Sequence, residues 1–213
     1  MQANSQMTVY RQELVGKILK VAMREFKARG IRSVKMDELA RLLSISKRTL
    51  YELYKDKETL LAECVKRNHD EFDEYMAEYA RNNGNNVIKI FVEVFRHEAN
   101  DNRGVSPLFF SELHKYEKIV KLLQEKHESN YDVAQDFFSL GVDQGYFRED
   151  INFDLYIRVM SLTMEQVMLQ EMYKQYDMVE IYRSVIMAMV RGICTKDGLE
   201  LLEQEIQASA GVF

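Results

Sequence analysis

Lys47, Arg48 and Thr49 put two cations and a hydroxyl side by side, and Tyr51 follows one helical turn later. Side chains of these types suit a polyanion. An Arg guanidinium can bond the O6 and N7 of guanine bidentately. Lys and hydroxyl groups more often hold phosphate, which positions a protein without specifying sequence. Arg48 therefore reads as the base contact, with a phosphate contact as its alternative. Lys47, Thr49 and the Tyr51 hydroxyl read as phosphate contacts, although the Tyr51 ring could simply pack. Lys35 lies upstream and Lys57 downstream. Lys57 opens a further helix, where an ammonium and the helix dipole would together attract phosphate. The alternative for both lysines is a solvated surface position.

These residues need a rigid frame. Val34 to Leu61 supplies one, reading VKMDELARLLSISKRTLYELYKDKETLL. Met36–Leu43 and Lys47–Leu53 have helical patterning, and Ser44-Ile45-Ser46 separates them with Ser46 as a candidate N-cap. Leu39, Leu43, Ile45 and Leu50 can pack together, with small Ala40 where the helices cross. Two short helices on a three-residue turn form a helix-turn-helix, whose second helix enters the DNA major groove. A preceding helix, about Thr8 to Arg29, repeats Leu14, Val15, Ile18, Leu19, Ala22 and Phe26 every three or four residues. Gly30 suits its left-handed C-terminus.

The segment resembles the TetR family of bacterial regulators. Ile45-Ser46-Lys47-Arg48-Thr49-Leu50-Tyr51 carries the likeness, with Tyr54, Lys57, Glu58, Leu60, Met36-Asp37-Glu38-Leu39-Ala40, Phe26 and Gly30. It extends over about Ile18–Leu61. Departures are visible. Val34 and Lys35 stand where the family usually has Thr or Ser, so the second helix lacks its hydroxyl cap. Ser44 stands where glycine is common in the turn. Leu53 replaces an aromatic or histidine and removes one phosphate donor, and Tyr54 replaces the usual Phe. Gly145-Tyr146-Phe147-Arg148, Arg191-Gly192-Ile193 and Gly198 resemble the family's later junctions more weakly. The resemblance implies a DNA-binding head on a variable ligand-binding and dimer-forming body, and it names no effector.

Charge divides in the same place. Residues 1–65 carry 13 Lys/Arg against 8 Asp/Glu, and residues 66–213 carry 16 against 26. A basic end on an acidic body fits a local polyanion contact. One proline and nine glycines in 213 residues favour long helices, and no alternating strand-like runs appear. The expected fold is all-α: an N-terminal three-helix helix-turn-helix head, residues 1–56, and a C-terminal helical ligand-binding and dimerisation domain, residues 57–213. A helix over about 57–80 links them. Further helices are expected over Val87–Glu98, from Ser106-Pro107 through about Gln135, Tyr131–Asp143, Asn152–Tyr173, Met178–Cys194 and Leu199–Gln207. The last few residues are expected to fray.

Catalysis finds no support. His69, His97, His114 and His127 lack metal-ligand spacing, Cys64 and Cys194 match no metal or disulfide pattern, and no nucleophile elbow or phosphate loop occurs. Neither an enzyme nor a cofactor is expected. No apolar run is long enough to span a membrane. The N-terminus lacks the apolar segment of a signal peptide, so a cytoplasmic location is expected.

The body is rich in soft and aromatic side chains. Phe91, Phe95, Phe109, Phe110, Phe137, Tyr156, Met160 and Met164 are candidates to line a pocket for a small apolar or aromatic effector, with ordinary core as the alternative. Leu155, Val159 and Leu162, with Ile181, Val185, Met189 and Ile193, give the last two long helices apolar positions on more than one side. The second side is expected to meet a two-fold mate. Taken together, the sequence points to a homodimeric regulator of double-stranded DNA, a repressor released from a pseudo-palindromic operator by its effector. An interaction module whose basic head binds an acidic protein, and an enzyme using the body cavity, are the competing classes.

Overall fold

The computed structural model describes residues 2–209, with side chains from Tyr10 onward apart from position 127. The expected fraying concerns residues 210–213, which lie outside the described residues. The described chain is helical throughout: α1 (Gln2–Arg29), α2 (Met36–Leu42), α3 (Lys47–Leu53), α4 (Lys57–Asn82), α5 (Val87–Asn102), α6 (Pro107–Leu113), α7 (Glu117–Asp143), α8 (Phe153–Leu169), α9 (Met178–Ile181), α10 (Met187–Ile193) and α11 (Lys196–Ala208). No β-strand occurs among the described residues; a single antiparallel bridge joins Phe147 and Cys194. No described helix is long and apolar enough to cross a membrane.

Two compact units emerge. The first comprises Met1–Glu71 and Val105–Gln124, the second Phe72–Gly104 and Glu125–Phe213. The first is therefore larger than a 1–56 head, because α6 and the start of α7 pack with it. Its core is the apolar stripe of α1 set against the helix-turn-helix: Ile18, Phe26, Leu39, Leu50, Leu60 and Leu61 are almost fully buried. Burying each such side chain stabilises the fold by roughly 1.5–3 kcal/mol relative to exposure. Phe109 and Phe110 join this core from α6, ring against ring at 5.8 Å.

Gly30 ends α1 with φ +82, and its amide donates to the Phe26 carbonyl at 2.9 Å. A side chain there would also strike Leu108, whose Cβ lies 2.8 Å from the position a Gly30 Cβ would take. Glycine is thus required both by conformation and by the approach of α6.

The second unit is built on an aromatic centre. Phe138 stacks on Phe153 at 5.0 Å and meets Phe147 and Tyr156 at 5.6 and 5.4 Å. Offset and edge-on rings of this kind add to plain burial. Gly141 admits the Phe147 ring, which leaves no room for a Cβ. Around this centre pack Val92, Phe95, Ile157, Met187, Val190 and Ile193.

Three stretches depart from sequence expectation. The helical stretch expected from Ser106-Pro107 through about Gln135 breaks after Leu113, and α7 runs unbroken from Glu117 to Asp143, absorbing the separate helix expected over Tyr131–Asp143. The helix expected over Asn152–Tyr173 ends at Leu169, because Glu171 turns left-handed at φ 51 and opens a 3-10 turn, Met172–Lys174. The helix expected over Met178–Cys194 is continuous only through a π turn, Tyr182–Ile186, between α9 and α10. An extra residue in a helical turn shifts the face that follows, and periodicity read from sequence does not register it.

Candidate nucleic-acid interface

The helix-turn-helix is shaped by local bonds. Ser44 turns the chain between α2 and α3 at φ 55, a left-handed conformation unusual for a residue with a Cβ. The Ile45 amide donates to Ala40 and the Leu43 amide to Leu39, both at 3.0 Å. Ser46 caps α3, its hydroxyl accepting from the Thr49 amide at 3.0 Å. This satisfies one of the amides that a helix start leaves open. Leu50 then points inward, fully buried, and Tyr54 closes the helix with its ring buried.

The opposite face of α3 is open. The side chains of Lys47 and Arg48 are 66% and 88% exposed, and Tyr51 is also exposed. None of the three is needed to fill the core. Thr49 is half-buried, and its hydroxyl pairs with that of Ser46 at 2.8 Å. Both cations have acidic company. Lys47 Nζ donates to Asp37 at 2.5 Å, and Arg48 Nε donates to Glu52 at 2.7 Å. Exposed pairs like these contribute little to stability.

Lys35 is exposed at the N-cap of α2, where its own side chain makes no cap bond. Glu38 supplies the reciprocal half of a capping box: its carboxylate accepts from the Lys35 amide at 3.5 Å and from Arg29 at 3.2 Å. The hydrogen bond from the Lys35 amide, helped by the Arg29 charge, holds Glu38 below the usual carboxylate range against the opposing effect of desolvation.

Lys57 departs from expectation. Its ammonium donates to the carbonyls of Ile31, Arg32 and Val34 at 2.8, 3.2 and 3.1 Å. An ammonium has three N–H donors, so all are engaged inside the protein. Burial holds this lysine below its ordinary pKa, with Glu112 opposing. Glu112 itself is buried on α6 and accepts from the Arg32 amide at 2.8 Å. Lys57 and Glu112 thus both bond the backbone of the α1–α2 loop, one through its carbonyls and the other through an amide. The phosphate role expected for the Lys57 side chain is corrected to that of a loop clasp.

The expected pocket residues divide. Phe95 is buried in the second unit, with Phe91, Phe137 and Tyr156 packed against the same cluster. Met160 and Met164 are half-buried on α8. Phe109 and Phe110 lie apart from that cluster, buried in the core of the first unit. The Tyr156 hydroxyl is buried with no hydrogen-bond partner, and burial raises its pKa.

Two surface hollows of about 440 and 450 Å³ lie elsewhere in the second unit, one beside Phe147, Arg148 and Thr195, the other beside Tyr75, Arg96 and His97. Neither is lined by any of the apolar or aromatic residues expected for a pocket, although the second includes His97, a polar candidate. The second contains a network that sequence reasoning missed. Glu93 is buried and bonded by Tyr75 and by Arg96, and the His97 ring lies 4.9 Å from that of Phe72. Burial pushes Glu93 upward, yet bonds from Arg96 and Tyr75 outweigh it and hold its pKa down. An acid inside the apolar run Val92-Glu93-Val94-Phe95, with an Arg three residues on, was the available signal.

The expected dimer residues divide too. On α8, Leu155, Val159 and Leu162 are exposed at 57%, 43% and 56%, and Leu169 continues the same stripe. Ile181 and Ile193 are corrected: both are buried within their own unit and have no face left for a partner. Val185 and Met189 are half-buried. No group of three or more metal-ligating side chains that could hold an ion occurs among the described residues.

Residues 18–64 match the family model described as bacterial regulatory proteins, tetR family. No curated protein matches the chain in sequence. Solved structures match over most of it. A TetR-family transcriptional regulator from Agrobacterium tumefaciens is 14% identical with a TM-score of 0.68, covering 86% of this chain and 99% of its own. A protein from Saccharomonospora viridis, solved in complex with choline, is 20% identical with a TM-score of 0.69, covering 87% of this chain and 100% of its own. The regulator FadR from Bacillus subtilis, in complex with stearoyl-CoA, is 20% identical with a TM-score of 0.59, covering 83% and 97%. At these identities the likeness is one of fold.

Proposed function

We propose, from the match of residues 18–64 to the model of tetR-family bacterial regulatory proteins, that the chain is a homodimeric repressor of that family which leaves a pseudo-palindromic operator when a small apolar or aromatic effector binds. Regulators of this family are DNA-binding transcription factors rather than enzymes. The observation that carries the reading is α3: Leu50 anchors it inward while Lys47, Arg48 and Tyr51 stand clear of the surface. Arg48 reads a base, and Lys47, Thr49, Tyr51 and Lys35 hold phosphate.

Two such helices are needed to span adjacent major grooves, about 34–36 Å apart along the duplex. The exposed stripe Leu155, Val159, Leu162 and Leu169 supports a second copy packed along α8, since an open apolar helix face is covered in a stable protein. Residues 1–56 carry the DNA contact and residues 57–213 the effector and the mate. Helix α4 begins in the first unit and ends in the second, and serves as the link. The aromatic cluster around Phe138, with Phe91, Phe137 and the unpartnered Tyr156 hydroxyl at its edge, is the place for the effector. Relatives of the same fold were solved with choline and with stearoyl-CoA, so this architecture accepts quite different ligands. Effector and operator affinities must then be coupled reciprocally, typically by about 1–3 kcal/mol.

The test is selection of bound duplexes from a random-sequence pool by the purified chain, followed by gel-shift titration at several salt concentrations. An enriched inverted repeat with a steep salt dependence is expected. Failure to bind any duplex at low salt would sink the assignment.

A further inference from the structure

A carboxylate on a surface that meets DNA is repelled by phosphate, so its presence on the outward face of α3 calls for a reason. Glu52 is such a group. It stands four residues after Arg48, 61% exposed, and its Oε1 accepts from Arg48 Nε at 2.7 Å. A guanidinium is a rigid planar fork. With Nε engaged by Glu52 and the side chain 88% exposed, the edge bearing the two terminal nitrogens is left for another acceptor. That edge matches the O6 and N7 acceptors of guanine.

Resting on the DNA-binding reading above, we propose that Glu52 is a specificity-determining residue: it positions Arg48 end-on for guanine and opposes non-specific settling of α3 on phosphate. Without the carboxylate, Arg48 swings freely to the nearest phosphate, and binding becomes tighter and less selective. The ion pair is exposed and contributes little to folding, so its effect lies in aiming the guanidinium. For the same reason substitution at Glu52 leaves the head folded.

Glu52→Gln removes the charge at nearly constant shape. Glu52→Asp keeps the charge but withdraws the oxygen by one methylene from Nε. Both variants are compared with the unmodified chain on random-sequence duplexes and on the duplex that the unmodified chain selects. Glu52→Gln is expected to bind random duplexes roughly threefold to tenfold more tightly and to lose a similar factor of guanine preference at the base pair where Arg48→Ala relaxes the choice. Glu52→Asp is expected to bind random duplexes as before and still lose that preference. The proposal is overturned if both variants keep the preference, or if Glu52→Gln tightens selected and random duplexes by one factor with the preference intact. In those cases the unmodified chain still selects an operator, and the DNA-binding reading survives. If the unmodified chain selects none and binds no random duplex, that reading and this inference fall together.

Discussion

The ammonium of Lys57 lies 2.8 Å from the carbonyl oxygen of Ile31, and two more carbonyls of the same loop complete its bonding. The clasp joins the start of α4 to the loop that sets α2, and hence the recognition helix, in place. Lys57→Met should therefore lower stability by about 2–3 kcal/mol in urea unfolding, since charge-assisted bonds are lost and carbonyls are stranded. The salt slope of DNA binding should stay unchanged. A slope that falls by about one would return Lys57 to the phosphate backbone.

Ser44 holds φ 55 in the turn of the helix-turn-helix. A left-handed conformation costs an L-residue roughly 1–2 kcal/mol, while glycine adopts it freely at the expense of greater entropy in the unfolded chain. Ser44→Gly is expected to raise stability by up to about 1 kcal/mol and to leave operator selection intact. Equal or lower stability would mean that the turn is not strained.

Arg48 projects from α3 with its guanidinium Nε bonded to Glu52. Arg48→Ala should weaken binding to the selected operator by about 1–3 kcal/mol and relax the choice at one base pair per half-site. Uniform weakening across all sequences, with the preference unaltered, would reassign Arg48 to phosphate.

Leu162 is 56% exposed in the middle of the α8 stripe. Leu162→Lys places a charge where a mate would need apolar contact, at no expense to the core of its own unit. Sedimentation should give a dimer for the unmodified chain and a monomer for the variant, with operator affinity falling accordingly. A variant that remains dimeric moves the interface off α8.

Tyr156 presents a buried hydroxyl with no partner. Burying such a group costs about 1–3 kcal/mol. Tyr156→Phe should thus be neutral or stabilising by roughly 1 kcal/mol in thermal unfolding, and should weaken any effector that uses the hydroxyl. Clear destabilisation would reveal a partner for it within the core.

The recognition head was legible in sequence because its determinants are short in range. The inward stripe of α1, the hydroxyl of Ser46 at the cap and the glycine after α1 all act within one or two helical turns, so residue type and spacing specify them. The helical class of the body followed from the same periodicities. Lys57, Glu93, Glu112 and Glu52 were not legible in role. Each is a residue type common on surfaces, and what it does depends on what folding brings alongside. Glu112 meets an amide 80 positions away, and Lys57 a carbonyl 26 positions away. Which apolar positions stay open was equally hidden: Leu155 and Ile193 have similar patterns in sequence, but one lies exposed and the other is sealed in its own unit. Helical period tells which residues share a face; only the packing of whole helices tells which face is already covered.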